Sequence, residues 1–501
     1  MKKIFIVFLF LSALVSCEDI TDLNDNPKKA KEAPAATLFA NAQKNLSDII
    51  TDSNVNLNVF RLISQQWTQT TYTNESRYDL STRNIPQEFW HQLYRDVLKD
   101  LDEATKSVNA IDPLFIDEGV RKNQLALIEF VDIYTWLIVV NTYGDVPYKG
   151  KSIGEALDIN VITPKYEDAA AIYDDLIVRL DDALNAIDET SEAFGTSDIF
   201  YKSDMVSWTK FGNSLKLKIG MLLADSNPGK AKDLVEEASS NVIDSVVYSA
   251  IIKYKETTPN TNPYYVDQVL SSRKDFVGAN TLINTMTSLS DPRLSFYFST
   301  VDTVIFDAYE NGAPAEGAHR LDTVTVYVGG KYGSKNAYDN YSKPSDKVRA
   351  PDFQAVLFDY AEVEFYLAEA KERGMTVDGT AEEHYNKAIT ISMGYWGVSE
   401  ADIATYLLRP DVAYATAAGN FKEKIGRQFW IALYNRGYDA WTEFRRLNFP
   451  NLVAPETALS GIPVRYTYPV SEQNLNQGNY EAASAKIGGD VVETKLFWDI
   501  N

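Results

Sequence analysis

Tyr360-Ala361-Glu362-Val363-Glu364-Phe365-Tyr366-Leu367-Ala368-Glu369-Ala370 is the stretch whose reading decides the fold. Val356, Tyr360, Val363, Leu367 and Ala370 fall at helical spacing, and Leu357, Ala361, Phe365 and Ala368 make a second apolar face. Gly374 suits the C-terminal cap. Ala381-Glu-Glu-His-Tyr-Asn-Lys-Ala-Ile389 then opens another helix, so the pair folds back on itself. Glu362 and Glu369, seven apart, share roughly one face. With Glu364 they read as a charged helix face, because no catalytic motif accompanies them.

The same texture extends outward. Small Ala at close positions with large aromatics between them resembles degenerate tetratricopeptide units, although no strict repeat consensus recurs. Pro86 can start a helix in its first turn; Phe89, Leu93, Val97 and Leu101 follow on one face, with Trp90, Tyr94 and Leu98 beside them. Residues 123–142 are apolar around most of the circumference and predict a buried helix. Thr163-Pro164 reads as N-cap and first helical position ahead of a stripe at Tyr166, Tyr173, Ile177, Leu180 and Leu184. Residues 205–224, 231–238, 425–433 and 440–447 complete the helical set. Between about 254 and 349 the texture changes to Thr, Asn, Gly, Ser, Pro and Tyr. Helical pattern survives there at 276–289. Residues 304–306 and 323–328 read as short strands, and Gly329-Gly330 as a hairpin signal. The predicted fold is mainly α: one domain over 35–501, a tetratricopeptide-like helix-pair scaffold with a long loop and short-strand region.

Composition excludes several classes of function. The 501 residues carry 48 Lys plus Arg against 70 Asp plus Glu, a formal charge of −22, which opposes nucleic-acid binding. Three histidines (His91, His319, His384) and one cysteine supply no zinc site, disulfide or multi-histidine metal centre, and nothing calls for a cofactor. Lys2 and Lys3 precede an apolar run over 4–15 that is too short to anchor in a bilayer and fits a secretory leader. It ends in Leu14-Val15-Ser16-Cys17, which resembles the bacterial lipobox. The expectation is a signal peptide over 1–16, lipidation (palmitate) at Cys17 and a polar tether over 17–34. The run Asp22-x-Asn24-x-Asn26 lacks the glycine and distal glutamate of a calcium loop.

Further motifs appear in order: Gly144-Asp-Val-Pro-Tyr148 after the long buried helix, Asp291-Pro-Arg-Leu294, the 360–370 segment, Phe429-Trp-Ile-Ala-Leu433, Trp441-Thr-Glu-Phe-Arg-Arg446, Arg465 to Asn476, Gly488-Gly-Asp490 and Leu496-Phe-Trp-Asp499. Together with the lipobox, this series resembles the SusD/RagB family of Bacteroidetes outer-membrane lipoproteins. Glu18 and Asp19 resemble the signal for export to the cell surface in that phylum. The resemblance implies a helical scaffold that binds nutrients without catalysis. It implies capture of a glycan, or of a peptide in some branches, and delivery to a SusC-type TonB-dependent transporter, with ligand sites in surface loops. The motif residues themselves read as structural: Gly144 to Tyr148 as a cap and turn, Arg445 and Arg446 as ion-paired scaffold, His384 as a solvated or packed residue.

Two segments carry aromatic faces and planar polar groups suited to sugar rings. The first runs from Gln65 to Asp79 and includes Trp67, Tyr72, Asn74, Arg77 and Tyr78; with almost no aliphatic residues, it does not read as buried core. The second runs from Tyr327 to Tyr341, with Tyr332, Tyr338 and Tyr341 among small polar residues. The opposing reading is tyrosines packed on the scaffold with wet hydroxyls. A surface glycoside hydrolase and a tetratricopeptide scaffold that binds only proteins remain as alternative functions. The absence of alternating strands and helices argues against a barrel hydrolase.

Overall fold

The structure, a computed structural model, describes residues 33–501 apart from 307, 308, 311 and 312. The expected leader, Cys17, the tether up to residue 32 and the Asp22–Asn26 run lie outside the described residues. Helix α1 (Ala35–Thr51) opens the domain, and α2 (Ile85–Gln92) runs through a π-helical turn at Leu93–Leu98 into α3 (Lys99–Asn109). Pro86 occupies the first turn of α2, where its missing N–H leaves no bond unmade. Helix α4 (Glu118–Tyr143) is the central rod, buried at almost every position from Ala126 onward. Asp117 caps it by accepting from the N–H groups of Gly119 and Val120.

Around this rod come α5 (Ala169–Ala186), α6 (Met205–Leu222) and α7 (Pro228–Ala238), with α4 packed on α5 and α6 on α7. After the loop-rich stretch, which contains α8 (Asn280–Ser288), come α9 (Tyr360–Glu372) and α10 (Ala381–Trp396), the most closely packed pair. Then follow α11 (Glu400–Leu407), α12 (Phe421–Ala432), α13 (Gly437–Leu447) and α14 (Gln477–Lys486). Gly374 closes α9 at φ +74°, as its position predicts, and Thr380 with Glu383 forms a capping box on α10.

The strands longer than two residues among the described residues are β1 (Trp67–Gln69), β2 (Ala250–Ile252), β3 (Phe276–Gly278), β4 (Val301–Phe306), β5 (Arg320–Val326) and β6 (Ala355–Phe358). They form antiparallel pairs β1–β3, β2–β6 and β4–β5.

Several local expectations are corrected. Val356 lies in β6, so the helix begins only at Tyr360. The 276–289 segment splits into β3 and α8. Thr163-Pro164 does not cap α5. Asp168 does, through the Ala171 N–H at 3.0 Å, and Tyr166 pairs instead with Pro147 in a two-residue bridge. Gly329-Gly330 is not the β4–β5 turn. It lies against the start of α8, where a side chain at Gly329 would come within 2.4 Å of the Asn280 Cα, so the glycines permit close backbone approach.

Glu362, Glu364 and Glu369 of α9 are not an outer face; all three are buried and paired. Glu362 accepts from Lys218 at 2.9 Å and from Arg436, Glu369 from Arg446 and Arg373 at 2.7 Å, and Glu364 from Lys387 at 2.8 Å and His384. Arg446 is ion-paired as expected, but Arg445 has no salt-bridge partner among the described residues. Its guanidinium lies 3.4 Å from the centre of the Trp441 ring and 4.8 Å from that of Trp498, and donates to the carbonyls of Asn141 and Val464. Burial lowers its pKa to about 10. Arg293 of the Asp291-Pro-Arg motif is fully buried, forked onto Asp291 and bonded to Ser392 and Gln428.

Candidate functional site

The two aromatic segments, about 250 residues apart in sequence, meet on one small sheet. β1 pairs with β3 in the register Trp67 to Gly278 and Gln69 to Phe276. The second segment joins the other edge: Gly330 N–H donates to Gly278 O at 2.8 Å and Asn280 N–H to Gly330 O at 2.9 Å. Asn336 then links the two directly, its N–H reaching Thr70 O at 2.9 Å and its amide Gln69 O at 3.0 Å.

Pairing turns part of each segment inward. Trp67 is 1% exposed. Its ring lies 5.3 Å from Tyr264 and 5.6 Å from Phe276, its Nε1 donates to the Tyr434 hydroxyl, and the Arg61 guanidinium covers it at 5.0 Å. The expectation that this segment lies outside the core is therefore corrected: its apolar partners come from distant parts of the chain. Tyr78 and Tyr332 are also buried, 6.2 Å apart; Gln65 donates to the Tyr78 hydroxyl, and Tyr332 donates to Leu62 O at 2.7 Å. Burial raises the pKa of both phenols and keeps them protonated. The glutamines are brackets: Gln66 bonds Leu433 O and the Asn435 N–H, and Gln69 bonds Glu75 and the Ser76 N–H.

The remaining candidates face outward. Tyr72 is 70% exposed at the end of the sheet, just beyond the Thr70–Asn336 link. Asn74 is exposed and bonds Asp79, while Arg77 is half-buried and donates to Thr457 O at 2.7 Å. Tyr338 is half-buried between two ammonium groups, Lys274 at 5.2 Å and Lys343 at 5.1 Å from its ring centre. Tyr341 is half-buried nearby in sequence.

Beside the buried Tyr78–Tyr332 pair opens a cavity of about 330 Å³, bounded by Gln65, Asn280, Thr281, Lys331, Tyr332 and Ser334 and closed by the 451–457 loop. Amides and hydroxyls share its wall with Val453, Ala454 and Pro455, and Glu456 is the one carboxylate. This is the chemistry of polyol recognition: planar donors and acceptors next to rings. Asn280, Thr281, Asn451, Glu456 and the cations Lys274, Lys331 and Lys343 were not singled out by sequence reasoning. The 451–457 loop carried a usable signal, two prolines five residues apart, Pro450 and Pro455, after the last turn of a helix.

A helix-pair scaffold with a loop-rich insertion between its helices is an architecture of the SusD type. Residues 27–469 match the SusD-like family described as starch-binding and associating with the outer membrane, and the chain belongs to that family. The fold overlays a chitin-binding SusD homologue from Flavobacterium johnsoniae with a TM-score of 0.74 at 22% identity, covering 93% of this chain and 99% of that one. It overlays a Bacteroidetes SusD-like protein with a TM-score of 0.77 at 20% identity, covering 94% and 100%. A SusD homologue from Bacteroides uniformis gives 0.71 at 21% identity, covering 93% and 99%. No curated protein sequence matches the chain.

Proposed function

We propose that this protein is a non-catalytic, cell-surface lipoprotein that captures a glycan and passes it to a SusC-type TonB-dependent transporter. The observation that carries the glycan reading is the polar cavity of about 330 Å³ at the junction of the two aromatic segments. Exposed Tyr72 and the cation-flanked Tyr338 lie on the same loop layer. The family description as starch-binding and the chitin-binding relative favour glycan over oligopeptide. A single carboxylate in the lining favours binding over hydrolysis, which uses a pair. The lipid anchor at Cys17 and the transporter partner rest on the sequence resemblance.

Calorimetry of the soluble domain against starch and chitin oligosaccharides, with oligopeptides as the competing class, tests the reading. An aromatic contact contributes about 0.5–1.5 kcal/mol beyond area burial, so Tyr72→Ala and Tyr338→Ala should each weaken glycan binding about three- to tenfold. Their thermal midpoints should stay near wild type. Binding of peptides alone, or glycan affinity unchanged in both variants and in Asn451→Ala, would overturn the assignment.

A further inference from the structure

A second cavity, of about 420 Å³, lies in the helical scaffold, away from the loop layer and sharing no lining residue with the cavity described above. Helices α3, α4 and α5 enclose it, and the strap after Tyr148 covers it. Leu101, Leu125, Ala126, Trp136 and Leu157 give it apolar walls. Leu157 holds a left-handed backbone conformation, φ +67°, uncommon for a bulky residue, and its carbonyl accepts from the Lys99 ammonium at 3.3 Å.

The floor is charged and unbalanced. One guanidinium, that of Arg179, serves two carboxylates: Nε donates to Glu129 Oε1 and Nη2 to Asp132 Oδ2, both at 2.5 Å. Three charges thus sum to one negative. Asp132 is only 9% exposed, yet its second oxygen, Oδ1, has no hydrogen-bond donor among the described residues while the side chain lines the cavity. The second oxygen of Glu129 likewise has no donor among the described residues. Burial pushes the Asp132 carboxyl up to about 6, with Arg179 and Lys149 opposing and Glu129 adding to the shift. The lysines near the mouth do not cancel the charge at the floor. Lys149 sits on Asp102, which also takes Lys99 and Lys106, and these three side chains are 38–54% exposed and screened. Lys151 is paired with Asp182.

An apolar chamber whose inner end sets two carboxylates against one guanidinium, with its remaining cations Lys122, Lys149 and Lys151 on exposed side chains already paired with Glu118, Asp102 and Asp182, selects a cation carried on an apolar body. We propose that this cavity binds a small primary ammonium compound, with Glu129 and Asp132 accepting from the ammonium and Trp136, Leu125 and Leu157 enclosing the apolar part. The site is independent of the glycan reading, because it involves other residues and another class of ligand.

The test is calorimetry of the protein with 2-phenylethylammonium, beside 2-phenylethanol and 3-phenylpropionate as neutral and anionic counterparts. Saturable binding of one ammonium per chain, at least tenfold tighter than the alcohol and with no binding of the carboxylate, is expected. Glu129→Gln should weaken it at least tenfold. Ala186→Trp, which fills the cavity from its rim and leaves the ion cluster intact, should abolish it. Melting curves of both variants establish that they fold, and unchanged glycan affinity in both keeps this result separate from the loop site. Absence of saturable binding, equal affinity for the alcohol, or ammonium affinity unaffected by either substitution would overturn the proposal.

Discussion

Trp67 and Tyr72 stand five residues apart in one aromatic segment, and the structure gives them opposite environments. Trp67 is enclosed by Tyr264, Phe276, Tyr434 and Arg61, whereas Tyr72 is 70% exposed. Trp67→Ala should therefore cost about 3–5 kcal/mol of stability, as large-to-small core substitutions do, and should be read by denaturant titration. A wild-type midpoint in that variant would contradict the burial. Composition could not separate the two residues. The segment lacks aliphatic neighbours in sequence, and the rings that bury Trp67 lie some 200 to 370 positions away. A buried ion pair gives a second test at this scale. Asp291→Ala leaves the fully buried Arg293 without its carboxylate, and breaking such a pair costs about 3–5 kcal/mol. Replacing both partners with apolar residues of similar volume should be far milder, and a double-mutant cycle reads the difference.

Helices carried the strongest signals at the scale of elements. Helix α4 was legible because its apolar residues surround the whole circumference, and α10 because the 381–389 stretch resumes a helical pattern after the Gly374 cap. Boundaries failed where two caps competed, as Asp168 displaced Thr163, and where an apolar run served first as strand and then as helix, as at Val356 and Phe276. The α9–α10 pair also makes a testable pH claim. His384 Nδ1 lies 2.5 Å from Glu364 Oε2, and its other nitrogen 2.7 Å from Asp378 O. Although burial opposes it, the hydrogen bond to Glu364 raises the pKa of His384, and the partners lower that of Glu364. A raised histidine stabilises fully below its unfolded value of about 6.5, and that contribution fades as pH rises through the folded value. The thermal midpoint should decline over this upper window in the wild type, and His384→Ala should lack that component. Glu364 contributes in the opposite sense, lost as pH falls through its depressed folded value.

Taken as one molecule, the scaffold was more readable than the site. Helical periodicity is local, so residues three and four apart announce it. The cavity is assembled from residues near 65, 280, 331 and 451, and no window of sequence contains that juxtaposition. The proposed role makes two claims at this scale. Cys17→Ala should leave the leader uncleaved and abolish lipid labelling; unchanged labelling and membrane fractionation would refute the anchor. Gentle solubilisation of native membranes should recover a complex with a large TonB-dependent transporter, and recovery of the protein alone would count against delivery.

The carboxyl end bears on how the chain is made. Trp498 is buried, its Nε1 donates to the Asn141 amide oxygen at 2.8 Å, and its ring flanks Arg445. Asn501 reaches back to the carbonyl of Arg446 at 2.8 Å. The carboxyl-terminal turn of α4 is therefore sealed by a ring 357 positions further along the chain. Until Trp498 has been synthesised and docked, the growing polypeptide leaves that apolar end of the rod uncovered.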